Sequence, residues 1–443
     1  MNSDNSTDGI HIGDFFRTPL FTSSNSGHYS AEYFFKHLSL SIFFLTLLLA
    51  GTSQRTLGQN ISFSAPTKYG SGGAASMAIT AGDFNGDGKA DLAVANQDSD
   101  NAGILLGNGD GTFSAATPFP TGYSPKEIAK SDLNGDGKLD LVIANETGNN
   151  VSVLMGNGDS SFQAPANYGS VDRPEYVAIA DLSLDGKQDL AVAGFGGSVY
   201  VFKGNGDGTF QTPVSYSTGM ASTSIIVEDL NKDGKPDMAV TNQDSGNLSV
   251  LVNLGDGTFS PAVNYGTAPY PVSISTGDFN GDGNLDLVTA DMGPYSNGYF
   301  GGNGFVSILL GRGDGTFQGA VSYGVGMVPH SVAVGDINQD GAPELVVANA
   351  YSNAISILGG NGDGSFSAAI NISTGDPSTP FSVCLADFNG DGRLDVATAN
   401  FVDSSVTILI NQTITSLTSS IGSKSYTTGT QSGKTKSSPK PRR

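Results

Sequence analysis

Tryptophan is absent from this 443-residue chain, and cysteine occurs once. Without tryptophan, the chain lacks a side chain favoured for sugar stacking and for protein hot spots. The single Cys384 excludes an intrachain disulfide, and its apolar Phe-Ser-Val-Cys-Leu surroundings read as core. Histidine is nearly as scarce. His11, His28 and His37 lie close to the amino terminus, which leaves His330 for the rest of the chain. A zinc site of several histidines is excluded, and a His-based triad has one candidate, whose plainer reading is a packed or solvated side chain. Lys and Arg number 21 against 42 Asp and Glu, a formal net charge of −21, which argues against nucleic acid as a partner.

Long apolar runs are also missing, with one exception. Leu38 to Ala50 is mostly apolar, follows Lys36 and precedes small polar residues. It is too short to span a bilayer comfortably, so a signal-peptide core is the leading reading and an uncleaved anchor the alternative. The 35 residues before Lys36 are long for a signal's charged region, which fits a true start downstream of Met1. The expected order is an extension with signal peptide over 1–59, one domain over 60–412, and a disordered Ser/Thr-rich basic tail over 413–443.

A nine-residue acidic loop, Asp-x-Asn-x-Asp-Gly-x-x-Asp, recurs seven times. The copies begin at Asp83, Asp132, Asp181, Asp229, Asp278, Asp336 and Asp387, spaced by 49, 49, 48, 49, 58 and 51 residues. In the first, Asp83, Asn85 and Asp87 place side-chain oxygens on alternate residues, Gly88 permits a sharp turn, Lys89 offers its carbonyl and Asp91 closes the set. With Asp91 binding through both oxygens, the loop supplies about six ligands, a shell suited to Ca²⁺.

The corresponding candidates are Asp132, Asn134, Asp136, Lys138 and Asp140 in the second loop, and Asp181, Ser183, Asp185, Lys187 and Asp189 in the third. The fourth has Asp229, Asn231, Asp233, Lys235 and Asp237, and the fifth has Asp278, Asn280, Asp282, Asn284 and Asp286. Asp336, Asn338, Asp340, Ala342 and Glu344 form the sixth, and Asp387, Asn389, Asp391, Arg393 and Asp395 the seventh. Ser183 and Glu344 depart from the pattern but keep an oxygen, so weaker or enlarged sites are expected there. A single loop of this kind reads equally well as a hairpin turn; seven copies favour metal. Up to seven Ca²⁺ would bring the net charge from −21 to −7. At free Ca²⁺ about tenfold above each dissociation constant, they would add roughly 10 kcal/mol, a structural contribution as large as a typical domain's stability.

The flanks are short apolar alternations, such as Ser-Met-Ala-Ile-Thr-Ala-Gly before the first loop and Asp-Leu-Ala-Val-Ala-Asn after it, which read as strands rather than the helices of an EF-hand. A third strand, a Gly-Asn-Gly-Asp-Gly-Thr-Phe segment and a fourth strand complete each unit. Four antiparallel strands in about fifty residues make a propeller blade, so an all-β, seven-bladed propeller is expected. The Gly-rich segment occurs only six times. Phe63-Ser-Ala-Pro-Thr-Lys-Tyr69-Gly matches Phe162-Gln-Ala-Pro-Ala-Asn-Tyr168-Gly, so the amino-terminal strand is expected to complete the seventh blade and close the ring.

The tandem unit resembles the FG-GAP or VCBS-type repeat proteins, whose best-known relatives are the amino-terminal propellers of integrin alpha subunits. The resemblance spans about 350 residues. It implies a seven-bladed propeller with Ca²⁺ in the loop between the first and second strand of each blade. The Gly-Ala-Pro element of the integrin form is reduced here to Ser64-Ala-Pro and Gln163-Ala-Pro, which places secreted microbial repeat proteins nearer.

Strand alternation sends the acidic loops and Gly-rich turns to one face, and the second-to-third turns and interblade connections to the other. The 58-residue spacing arises from an insertion on that second face, bringing Tyr295, Tyr299 and Phe300; neighbouring turns carry Phe195, Tyr351 and Phe401. These aromatics are candidate ligand contacts, against a plainer reading as interblade packing. Arg312-Gly313-Asp314 looks like an adhesion tripeptide but is the repeat's own turn with one substitution. Sequons such as Asn150-Val-Ser follow from the same Asn- and Ser-rich composition.

The sequence thus points to a secreted or cell-surface calcium-binding propeller with no membrane span after signal cleavage. Its expected role is a noncatalytic adhesion or interaction module for an extracellular protein or glycan. A lectin-like binder and an extracellular carbohydrate-active enzyme are the alternatives. For the enzyme, no carboxylate pair outside the loops stands out.

Overall fold

The computed structural model describes residues 54–55, 61–296, 299–300 and 302–413, with backbone alone at 54, 55, 296, 299 and 300. The apolar segment 38–50 and the chain beyond Thr413 lie outside the described residues.

Seven four-stranded antiparallel sheets form a seven-bladed propeller. Each blade begins with a seven-residue strand: Ser76–Gly82, Pro125–Ser131, Pro174–Ala180, Ser222–Glu228, Pro271–Gly277, Pro329–Gly335 and Pro380–Ala386. The acidic loop follows and leads into the second strand, such as Asp91–Asn96 or Asp140–Asn145, which is buried along its length in every blade. In the sequence these segments read as apolar alternations; burial on both faces makes them continuous apolar runs instead.

Aromatic pairs join neighbouring blades. A ring on the fourth strand of one blade meets, edge to face, the Phe that ends the Gly-rich turn of the next. Tyr69 meets Phe113 at 5.7 Å, Phe119 meets Phe162 at 5.2 Å and Tyr168 meets Phe210 at 5.5 Å. Tyr216–Phe259, Tyr265–Phe317 and Tyr323–Phe366 repeat the arrangement. Between the sixth and seventh blades Ile372 and Phe63 share one apolar cluster instead. Such ring pairs contribute about 0.5–1.5 kcal/mol each beyond their burial.

The expected closure is present. Thr67–Gly70 is the fourth strand of the seventh blade, pairing with Ser405–Leu409 in the register Thr67 to Ile408 and Gly70 to Ser405. Phe63 bridges Asn411 as each other turn Phe bridges its partner, Gly107 to Phe113 through Gly360 to Phe366. Lys68 Nζ adds a 2.7 Å contact to Asp403. Thr413, which the sequence reading assigns to the tail, is buried, and its hydroxyl accepts the Ser62 amide at 3.2 Å.

The insertion of the fifth blade carries a two-residue ladder, Tyr295–Ser296 against Tyr299–Phe300, between its second and third strands.

Candidate functional site: acidic loops and the opposite channel mouth

Each acidic loop folds around its own amides. Asp83 Oδ1 accepts the Gly86 amide at 2.7 Å and Oδ2 the Gly88 amide at 2.8 Å, while Asn85 Oδ1 takes that of Asp87 at 2.9 Å. The fourth position is left-handed in all seven loops, at Gly86, Gly135, Leu184, Lys232, Gly281, Gln339 and Gly390. The four glycines donate to the first Asp, as Gly135 does to Asp132 at 2.8 Å.

The ninth carboxylate stitches the loop to the rest of the blade. Both Asp91 oxygens accept amides, Oδ2 from Phe84 at 3.0 Å and Oδ1 from Gly107 at 2.8 Å. Asp140, Asp189, Asp237, Asp286 and Asp395 make the same reach to Gly156, Gly204, Asn253, Gly311 and Asn411. Burial pushes the Asp91 carboxyl upward against these bonds, and the charges of Asp87 and Asp83 push it further. Asp237 and Asp395 are raised to about 6, and Glu344 to about 7, with burial again the first cause.

The seventh residue, a candidate through its carbonyl, has a second role that the repeat spacing does not show. Lys89 Nζ lies 3.2 Å from Asp87, Lys138 3.4 Å from Asp136, Lys187 3.6 Å from Asp185, Lys235 3.1 Å from Asp233, and Arg393 2.6 Å from Asp391. Loops five and six carry Asn284 and Ala342 at this place and have no such pair among the described residues.

The donor set fits a hard divalent cation in its chemistry: oxygen alone, with three carboxylates per loop that repel one another. In this conformation those oxygens cap amides. Among the described residues, no three His, Cys, Asp or Glu side chains converge as a metal site. Ser183 Oγ, in the third loop, is buried beside the Asp189 carboxylate. Asp314, of the adhesion-like tripeptide, turns back to cap the Thr316 amide at 2.9 Å, as Asp110 caps Thr112 at 3.0 Å. It belongs to the turn.

At the other end, the first strands surround a cavity of about 640 Å³ lined by all seven blades. One device recurs in each strand. The residue before it is left-handed although never glycine: Ala75, Ser124, Arg173, Ala221, Tyr270, Val328 and Thr379, with φ between 45° and 60°. Its carbonyl accepts the amide of the residue just after the second strand, as Ser124 does from Glu146 at 2.9 Å and Arg173 from Phe195 at 3.0 Å. A register shift follows at once, between Pro125 and Glu127, Pro174 and Tyr176, and at the equivalent place in all seven sheets.

A bulge of this kind breaks strict alternation, so consecutive side chains can face one side. Lys126 and Glu127, Glu175 and Tyr176, His330 and Ser331, and Phe381 and Ser382 all line the cavity. Serines also cover the inner edge: Ser273 Oγ accepts the Val332 amide, Ser331 that of Val383 and Ser382 that of Ile79, each at 3.3 Å.

The charged groups gather on blades two and three. Lys126 Nζ pairs with Glu146 at 3.1 Å. Burial pushes Glu127 up to about 8 and Glu175 to about 7, the latter opposed by Lys126 and reinforced by Glu146. His330 stacks on Phe381 at 4.2 Å, and burial with the nearby Lys126 charge holds it down at about 4. Cys384 also lines the cavity, its thiol pushed up to about 12 by burial. The three glutamates stand 19 to 48 positions apart in sequence, so strict alternation hid them. The signal was available at the second and third places of the first strand, where Lys-Glu and Glu-Tyr replace the Val-Ser, His-Ser and Phe-Ser of other blades.

The proposed aromatics separate into groups. Phe195 lines the cavity beneath the Arg173 guanidinium, 4.3 Å from its ring centre. Phe401 packs on Phe381 at 5.0 Å, behind His330. Tyr295 and Tyr351 are exposed, and the side chains of Tyr299 and Phe300 lie outside the described residues. The described helices include none long and apolar enough to cross a membrane.

No protein of curated function matches the sequence. Among solved structures, BBS1N in complex with ARL6DN superposes with a TM-score of 0.56 at 12% identity, covering 80% of this chain and 97% of that one. Virginiamycin B lyase from Staphylococcus aureus gives 0.55 at 12%, covering 78% and 99%. An Agrocybe aegerita lectin that recognises non-reducing terminal N-acetylglucosamine gives 0.48 at 20%, covering 77% and 86%. These likenesses are of fold alone. The FG-GAP-like repeat profile matches residues 83–131, 132–192, 181–240, 229–289, 297–347 and 336–398, and the FG-GAP repeat profile matches 270–309. The chain belongs to the FG-GAP-like repeat family.

Proposed function

We propose that this chain is a noncatalytic interaction module in which calcium-held loops form the frame and the opposite face does the recognising. One observation carries the reading. Tyr123, Met220, Tyr295, Tyr351 and Val402 are between 50% and 70% exposed, and all lie in the connections or second-to-third turns that rim the channel mouth. Leu184, Val214, Leu254, Val263 and Val321 are also exposed but are scattered over an acidic loop, a Gly-rich turn and three fourth strands, whereas the mouth group holds all three aromatics of the set, a composition that suits a protein or glycan surface.

The seven near-uniform loops on the far face would bind Ca²⁺ through their first, third, fifth and ninth side chains, a cation that neutralises charges otherwise in mutual repulsion. A secreted or cell-surface setting, and with it adhesion, would supply the millimolar Ca²⁺ that weak sites of this kind require. His330 accords with the noncatalytic assignment, since its ring packs on Phe381 at 4.2 Å and burial holds its basicity well below that of a working base at neutral pH.

The test is binding of the purified protein to arrayed glycans and extracellular proteins, compared with a Tyr123→Ser, Met220→Ser, Tyr351→Ser variant of unchanged melting temperature. Loss of at least about tenfold in affinity, roughly 1.4 kcal/mol, is expected. Equal binding by the variant would remove the face from the account. Polysaccharide cleavage abolished by Glu127→Gln would replace it with the enzyme reading.

A further inference from the structure

The cavity behind the mouth has a chemistry of its own. Its ionisable lining is Lys126, Glu127, Glu146, Glu175, Tyr176, His330 and Cys384. The single ammonium is answered by Glu146 at 3.1 Å, and no described Lys or Arg lies within ion-pair distance of Glu127 or Glu175. Glu127 and Glu175 therefore face the cavity without an ion pair of their own, on the first strands of adjacent blades, with Lys126 and Arg173 acting on Glu175 only from farther away. We propose that the cavity binds a small aliphatic ammonium ion, held by Glu127 and Glu175 and walled by Tyr176, Phe195 and Phe381.

Each alternative class leaves something unmatched. An anion would meet the two carboxylates head on. A neutral polyol would leave them desolvated and uncompensated, which is costly in a confined site. A divalent metal needs six to eight convergent oxygens, and these glutamates do not converge as a metal site. An alkylammonium supplies a charge with N–H donors at its ends and methylenes between, matching acids set among aromatic and aliphatic walls. Aromatic faces attract such cations, and the chain itself places the Arg173 guanidinium over the Phe195 ring at 4.3 Å.

A second observation is independent of the charges. Ser224 Oγ lines the cavity in a residue only 1% exposed, and its polar neighbour there is the Tyr176 hydroxyl, which lies beyond good hydrogen-bond geometry. A buried hydroxyl so weakly paired retains acceptor capacity that an N–H donor from the guest would use. The volume of about 640 Å³ lies within the range of small-molecule sites. The raised carboxyls of Glu127 and Glu175 agree with acids that await a cation.

Calorimetric titration of the whole chain with 1,4-diaminobutane tests this. Saturating Ca²⁺ and near-physiological salt keep the acidic loops from acting as a nonspecific sink. One saturable site is expected, weakened at least about tenfold by E127Q/E175Q, with 1,4-butanediol giving no binding. The double variant is expected to melt no lower than the parent, so lost binding would not reflect unfolding. Absence of a saturable site, undiminished binding by the double variant, or equal binding of the diol would each overturn the proposal. The Tyr123→Ser, Met220→Ser, Tyr351→Ser variant is expected to retain amine binding, which separates this site from the mouth face.

Discussion

Glu344 Oε1 accepts a hydrogen bond from Asn338 Nδ2 at 2.8 Å, so the sixth acidic loop closes on itself. In the other six the ninth carboxylate crosses to the turn between the third and fourth strands, as Asp395 does to Asn411 at 2.7 Å. The extra methylene of Glu344 carries its carboxylate back over the loop, and the Gly360 amide is not among its partners. Glu344→Asp is expected to restore the link and add about 1 kcal/mol, read as a higher denaturant midpoint at constant slope. A lower midpoint would show that the sixth blade is built around the longer acid.

Ring closure rests on a strand from the opposite end of the chain. Deleting Phe63 to Gly70 removes the fourth strand of blade seven, the fully buried Phe63 ring and the Tyr69 contact to Phe113. The deletion is expected to abolish the cooperative thermal transition. The milder Phe63→Ala should cost about 3–5 kcal/mol by chemical denaturation. A deletion protein as stable as its parent would mean the ring does not depend on this strand.

At the end of the second strand, blades one, two, four, six and seven carry a buried Asn, and blade five carries Asp291. Thr289 Oγ1 donates to it at 2.8 Å and Ser307 Oγ at 2.6 Å, yet burial still pushes its carboxyl up to about 8. A carboxyl raised on folding contributes stability that is complete below its unfolded value, near 4, and is lost as pH rises through 8. Asp291→Asn is therefore expected to gain on the parent from about pH 5 to about 8 and then level off, reaching on the order of a few kcal/mol. Melting curves across that range check the slope. A difference independent of pH would show that the acid is not desolvated as its surroundings indicate.

The periodicity that made the blades legible also set the limit of sequence reading. Asp83 to Asp91 and its six copies located the loops, and the match of Phe63–Tyr69 to Phe162–Tyr168 located the closing strand, because both features repeat. The cavity acids do not repeat. Glu127 and Glu175 sit at different places in their strands and reach a common wall only because a bulge after Pro125 and Pro174 breaks alternation. The Lys89–Asp87 pair escaped for another reason: neighbours two apart on a tight loop meet in space, where on a helix they would not. Phe195 and Phe401 look alike in the sequence, both in second-to-third turns, yet one lines the cavity and the other packs on Phe381 of its wall.

The assignment of the acidic loops to the frame is tested most directly by calcium titration of chelator-stripped protein, with thermal melts before and after. Several ions bound per chain and a melting temperature raised by well over about ten degrees are predicted, since seven weakly occupied sites together rival the stability of a domain. No heat of binding and an unchanged melt would contradict the account.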